Sequence, residues 1–232
     1  MQGVPLLPST TVTTTRTRPT LRLERKCWQS GDRLVCGIDE VGRGAWAGPV
    51  TVAAVIPAPD HLRGIRDSKM LTPDQREVAA AHVRTWARAF AIGHATHEEC
   101  DELGMTAALR TAGCRALAQL AMQGYEPDRV ILDGNHDYLR MGTRVTTVIK
   151  GDATSLAVAA ASCVAKVARD ALMAEESEHF PAYGFESNRG YPAPVHKAAL
   201  NAHGPTTIHR RSWIFMDNLV WGGLAPPPGR LF

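Results

Sequence analysis

The stretch Leu34-Val35-Cys36-Gly37-Ile38-Asp39-Glu40-Val41-Gly42-Arg43-Gly44 constrains this chain more than any other. An apolar run ends in two adjacent carboxylates, and a glycine-rich turn follows at once. Neighbouring residues on a strand point to opposite faces of a sheet. Asp39 and Glu40 are therefore expected to serve one site only where the strand frays at Glu40. Gly42 and Gly44 supply that break, because glycine accepts backbone angles closed to other residues. Their N–H groups are also open to close approach by a ligand. Two acids, bare amides and Arg43 suit the grip of a metal ion and an anionic, hydroxyl-bearing substrate.

Val130-Ile131-Leu132-Asp133-Gly134 repeats the layout of strand, carboxylate and turn. Three more strands are expected at Val50–Ile56, Ala89–His94 and Arg144–Lys150, all rich in β-branched or small apolar residues. Helices are expected at Leu21–Ser30, after the Thr72-Pro73 start signal, after Thr96 up to Gly104, and from Thr106 to Gln123 with Gly124 beyond its end. Val78, Val83, Trp86 and Phe90 are read as one apolar face of the second of these or its exit. The clearest helix runs from Ser155 to about Glu176, alanine-rich and without Gly or Pro. This order predicts an α/β domain with a mixed five-stranded central sheet flanked by helices. The expected organisation is a disordered leader over 1–20, a catalytic domain over 21–180, a small helical C-terminal lobe over 181–222 and a flexible tail over 223–232.

A formal net charge of +3 permits nucleic-acid binding without demanding it. Five cysteines without a C-x-x-C pair argue against a disulfide framework or a zinc site. No apolar run is long enough to span a membrane, so a cytoplasmic protein with reduced thiols is the expectation. A monomer is the default.

Asp39, Glu40 and Asp133 fall at or just beyond predicted strand ends, where open α/β sheets place ligands. Asp170 shares a helix face with Lys166 and Cys163, and on the residues alone a surface Lys166–Asp170 pair explains it.

The segments DEVGRGAWAGPV, ILDGN, KGDATSLAVAAASCVAKVARD, RGYPAP and PTTIHRRSW occur in that order from about 33 to 215. Together they closely resemble bacterial type II ribonuclease H, the ribonuclease HII family. The resemblance implies a ribonuclease H-like fold and puts the family's four acids on Asp39, Glu40, Asp133 and Asp170. Two departures, Ala157 and Ala168 where hydroxyl residues are common, touch no acid. Two like charges 4 Å apart repel by about 4 kcal/mol at an effective dielectric near 20. Four gathered carboxylates thus call for cations, and oxygen-only donors favour two Mg²⁺ or Mn²⁺ ions over zinc. Such a pair suits in-line hydrolysis of a phosphodiester.

By the same resemblance, Gly42-Arg43-Gly44 contacts the 2′-hydroxyl of a ribonucleotide, and Tyr191 packs on the sugar that follows it. Here Tyr191 precedes Pro-Ala-Pro, where Gly-Thr is more usual. Lys69, Lys166 and the run His209-Arg210-Arg211 are candidates to grip phosphates beside Arg43. The implied activity is endonucleolytic: cleavage 5′ of ribonucleotides in RNA–DNA hybrids and at single ribonucleotides in duplex DNA. The competing reading is a non-catalytic nucleic-acid-binding module on the same fold, which would gain nothing from gathered acids. The terminal Gly-Arg-Leu-Phe loosely resembles sliding-clamp ligands, so a weak clamp contact is carried beside the plainer reading of a functionless tail.

Overall fold

Strand β1 (Val35–Val41) lies at the centre of one sheet. It pairs antiparallel with β2 (Val50–Ile56) and parallel with β4 (Arg129–Asp133). Strand β3 (Ala89–Ala95) extends the sheet beyond β2, and β5 (Val145–Val148) extends it beyond β4. The order is β3-β2-β1-β4-β5, a mixed five-stranded sheet. The structure is a computed structural model and describes residues 18–65 and 68–218.

Each face of the sheet is covered by one long helix. Helix α4 (Met105–Met122) packs Ala108, Leu109, Ala112, Ala116 and Leu120 against Cys36, Ile38, Val52 and Leu132. On the other face α5 (Leu156–His179) buries Ala159, Ala160, Cys163, Val164 and Val167 with Ala53 and Val55. Alanines at this contact allow a close approach, and Gly37 allows a closer one. A Cβ at Gly37 would lie 2.3 Å from the Ala157 carbonyl carbon. Helix α2 (Pro73–Trp86) packs outside α5 through Ala79, Ala80 and Val83.

Local signals place the helices. Thr72 and Thr96 each close a capping box, with Gln75 at the start of α2 and Glu99 at the start of α3 (His97–Leu103). Ser155 caps α5 by accepting from Val158 N–H. Helix α1 (Arg22–Gln29) sits where expected, and buried Glu24 accepts from Ser155 Oγ at 2.6 Å, tying it to α5. Its lead-in is already paired, since Thr20 N–H donates to the Thr154 carbonyl.

Three expectations are corrected. Strand β1 does not fray at Glu40: Glu40 and Val41 stay in register with Val52 and Thr51. Its pairing with β4 stops at Ile38 instead, so Asp39 and Glu40 run on past one neighbour only. Val78 is 55% exposed, because the buried face of α2 is carried by alanines and Val83. Strand β5 is shorter than Arg144–Lys150: a 3-10 turn takes Gly142–Arg144, and Lys150 turns left-handed at φ 56°.

After α5 come a 3-10 turn at Pro181–Tyr183, the short α6 (Phe185–Asn188), α7 (Pro194–His203) and a 3-10 turn at Ile214–Asn218. Tyr183, Phe185, Leu200 and Phe215 build a separate core around Ala47 and Met173. This packing presses the C-terminal helices onto the loop that follows β1. The tail beyond 218 and the leader before 18 lie outside the described residues.

Candidate active site

Asp39 points from β1 toward α5, where its carboxylate hydrogen-bonds with Ser162, and it also accepts the Glu40 N–H at 2.8 Å. It is buried, and burial pushes its pKa well above the usual carboxylate range; repulsion from Glu40 and Asp133 adds to the shift. Glu40 leaves the opposite face of the strand and lies 3.8 Å from the exposed Arg43 guanidinium. Asp133 ends β4, beside Asp39, and accepts the Gly151 N–H at 2.6 Å. The mutual repulsion marks these three acids as one cluster at the carboxyl ends of the two parallel central strands.

Asp170 sits differently. It extends from α5 into a ring of cations: an ion pair with Lys166, one with Arg76 at 3.3 Å and one with Arg189 at 3.7 Å. Arg76 is itself fixed by the Ser68 and Leu71 carbonyls. Lys166 is largely buried and its pKa is lowered by that burial. Lys69 lies in the 3-10 turn Ser68–Met70, and its side chain is outside what the structure describes.

The turn after β1 is set by three residues from distant parts of the chain. Gly42 has φ +90°, and a Cβ there would stand 2.2 Å from Arg169 Nε. Its N–H donates to the Tyr191 hydroxyl at 3.2 Å, so this amide is capped and not bare. Arg169 is fully buried and donates to the carbonyls of Pro49, Ala47 and Arg189. Its guanidinium lies 5.5 Å from the Tyr191 ring centroid. Gly44 is exposed, and a Cβ there would stand 3.9 Å from Tyr191 Cε1.

Of the run His209-Arg210-Arg211, His209 is buried away from any phosphate, and Arg210 also corrects the sequence reading. It is fully buried and donates to the carbonyls of Gly48 and Arg43, so its charge is used inside the loop and does not reach a phosphate. Arg211 is exposed, with its backbone N–H on Asp101 at 2.6 Å. Sequence reasoning missed Arg169, Arg76, Arg189, Ser162 and Tyr138. For Arg169 a signal existed: it stands four residues from Ala165 and Met173 in an otherwise apolar row. Tyr138 is buried with its hydroxyl unpartnered, and burial pushes its pKa well up, with the charges of Glu40, Asp39 and Asp133 adding to the shift.

Among the described residues no three His, Cys, Asp or Glu side chains close into a ready-made cage. The donor chemistry nevertheless fits a hard divalent cation. The acids offer oxygen alone, and the Asp39 shift shows a cluster that an added positive charge would relieve.

The sequence model of the ribonuclease HII family matches residues 36–216. A ribonuclease HII from Streptomyces avermitilis is 53% identical over 206 residues, covering 87% of this chain and 86% of that one. A ribonuclease HII from Synechococcus is 44% identical over 212 residues, covering 90% and 94%. Among solved structures, the ribonuclease HII of Archaeoglobus fulgidus in complex with PCNA superposes with a TM-score of 0.63 at 28% identity, over 78% of this chain and 95% of that one. Bst-RNase HIII in complex with Mn²⁺ gives a TM-score of 0.60 at 25% identity, over 77% of this chain but 65% of that one. No described helix is long and apolar enough to cross a membrane. The fold is ribonuclease H-like, and the chain is an enzyme that belongs to the ribonuclease HII family.

Proposed function

We propose that this ribonuclease hydrolyses the phosphodiester on the 5′ side of ribonucleotides, in RNA–DNA hybrids and at single ribonucleotides embedded in duplex DNA. The products are 3′-hydroxyl and 5′-phosphate ends. The observation that carries the reading is the hydrogen bond from Gly42 N–H to the Tyr191 hydroxyl. It joins a glycine turn two residues beyond the Asp39–Glu40 pair to an aromatic ring from the C-terminal lobe. A turn and a ring so joined form a surface for a sugar, next to the acids that would hold the ions at its phosphate. The 2′-hydroxyl is the group that separates RNA from DNA at one position.

In this reading Asp39, Glu40, Asp133 and Asp170 hold two Mg²⁺ or Mn²⁺ ions. When bound, the ions supply an activated water and stabilise the leaving oxygen. The Bst-RNase HIII neighbour, solved in complex with Mn²⁺, supports dependence on a divalent ion. The chain's own part is positional. Arg169 and Arg210 hold the loop rigid from beneath. Tyr191 and Gly44 flank the sugar, while exposed Arg43 and Arg211, with Lys69 and Lys166, meet phosphates. Asp170 is paired with three basic neighbours, Lys166, Arg76 and Arg189, from which a cation would draw it.

The same proposal has the enzyme act as a cytoplasmic monomer. A weak contact to a sliding clamp through Gly229–Phe232 is carried with it; those residues lie outside the described part, and the archaeal neighbour solved with PCNA supports a clamp contact in this family. The test is a labelled DNA duplex with one embedded ribonucleotide. The expected result is a single nick 5′ of that ribonucleotide, with a 3′ end that a polymerase extends. An intact duplex in the presence of either Mg²⁺ or Mn²⁺ would sink the proposal.

A further inference from the structure

Behind Tyr191 lies a buried pair of histidines that the mechanism above does not use. His196 of α7 and His209 are both fully buried, with their Nε2 atoms 2.8 Å apart. Each outer ring nitrogen has a partner whose role is fixed. His209 Nδ1 is met by the backbone N–H of Thr206 at 2.9 Å, which can only donate, and by the Thr206 hydroxyl at 2.8 Å, which can take either role. His196 Nδ1 is met by the Tyr191 carbonyl at 2.9 Å, and a carbonyl can only accept. One arrangement of protons satisfies all three contacts. His209 accepts at Nδ1 and donates from Nε2, and His196 accepts at Nε2 and donates from Nδ1 to the Tyr191 carbonyl. The chain of bonds has a direction, from Thr206 to Tyr191.

We propose that His196 and His209 are positioning residues, a neutral relay that fixes the main chain of Tyr191 and thereby aims its ring and hydroxyl at the Gly42 turn. The geometry supports this at both ends. The Tyr191 carbonyl takes a second bond from Ala193 N–H at 2.8 Å, and Tyr191 N–H donates to the Asn188 carbonyl at 2.9 Å. The peptide before it is hooked to the loop that follows the acid-bearing strand, since the Gly190 carbonyl accepts the Trp46 N–H at 2.8 Å. A Cβ at Gly190 would meet the Ala47 oxygen at 2.5 Å, so this segment has no room to slide. Aromatic rings of Phe185, Tyr183 and Trp46 enclose His196 at 5.2 to 6.2 Å and keep water from competing for its nitrogens. The charged neighbours agree: His209 is held neutral, its pKa pushed down to about 3 by burial and then by His196, Arg211 and His97. A second proton on either Nε2 would set two donors against each other and break the relay at its centre.

The inference rests on the reading of Tyr191 as the sugar contact, and the experiment separates the two. Rates are measured for wild type, Tyr191→Ala, His196→Ala and the double variant, on a single embedded ribonucleotide and on a continuous hybrid. Tyr191→Ala should lose roughly ten- to a hundredfold in kcat/KM on the single ribonucleotide and less on the hybrid. His196→Ala should lose about tenfold with the same substrate bias. The double variant should be no worse than Tyr191→Ala alone, because the relay acts through that residue. His196→Gln, which keeps one donor and one acceptor, should recover part of the loss. Losses that simply multiply would overturn the relay while leaving Tyr191 as the reader. A Tyr191→Ala enzyme with wild-type rates on both substrates would overturn the reader, and the relay's function with it. Should His196→Ala fail to fold, nitrogen-detected NMR of the wild-type imidazoles decides. At about pH 5.5, below the free imidazole pKa, His196 should carry its proton on Nδ1 and His209 on Nε2. Reversed tautomers, or a doubly protonated ring, would overturn the relay.

Discussion

Asp39 and Asp170 belong to one candidate site, yet their surroundings oppose each other. Asp39 is buried against two other acids, whereas Asp170 is gripped by Lys166, Arg76 and Arg189. Replacing Asp39, Glu40 or Asp133 by its amide should cut the cleavage rate by a factor of about 10² or more, with the protein still folded. Asp170→Asn should be the variant best rescued by Mn²⁺, because its charge is already balanced by cations when no metal is bound. Near-wild-type cleavage by Asp39→Asn in Mg²⁺ would remove the metal assignment. Gly42 allows a sharper stability test. At φ +90°, with Arg169 Nε 2.2 Å from a would-be Cβ, Gly42→Ala should destabilise by about 1–3 kcal/mol, read as a lower denaturation midpoint. Since the same change moves the Tyr191 contact, activity should fall further than stability alone explains.

At the scale of elements, the loop from Arg43 to Pro49 is held by two buried guanidinium groups that donate only to its carbonyls and to Arg189. Arg210 and Arg211 are neighbours in sequence with different work, and that difference is measurable. Each hydrogen bond from a charged group is worth about 1.5–3 kcal/mol. Arg210→Ala should therefore lower Tm by several degrees, at about 2–4 °C per kcal/mol for a chain of this size. It should leave the salt dependence of substrate binding unchanged. Arg211→Ala should do the reverse: little change in Tm, weaker binding and a shallower salt slope. Equal effects from both would mean that the exposed arginine meets no phosphate. This pair also shows what was legible in the sequence. The caps at Thr72 and Thr96 are spelled within four residues, so the start of α2 and both ends of α3 could be placed to the residue. The mixed sheet followed from the order of apolar runs. The burial of Arg210 and the exposure of Val78 could not be read, because both depend on what packs against them from elsewhere in the chain. The route by which Asp39 and Glu40 share a site was misjudged for a related reason. It depends on where β4 ends relative to β1, and that register is a tertiary fact.

For the molecule as a whole, buried titratable groups pull stability in opposite directions with pH. His209 is held near a pKa of about 3, against 6.5 in the unfolded chain. Below 6.5 the unfolded state therefore binds a proton that the folded state refuses, and stability falls as pH drops toward 3. The slope is about 1.4 kcal/mol per pH unit for one proton. His196, also lowered by burial, steepens the same limb. Asp39 carries the opposite sign. Its folded pKa is raised, so the metal-free folded state holds a proton that the unfolded chain has already released. Its contribution is present below 3.8 and is lost as pH rises through the folded value. A divalent ion that binds Asp39 as carboxylate should remove this second limb and leave the first untouched. Melting curves from about pH 5 to 9, with EDTA and with Mg²⁺ or Mn²⁺, check both limbs together. The expected result is an ion-dependent rise in Tm that grows toward alkaline pH and is much reduced in Asp39→Asn. In EDTA that variant should be more stable than wild type at alkaline pH, because it lacks the buried charge. A wild-type Tm that ignores the ions at every pH would show that the acids do not gather around a cation, whatever their role in cleavage.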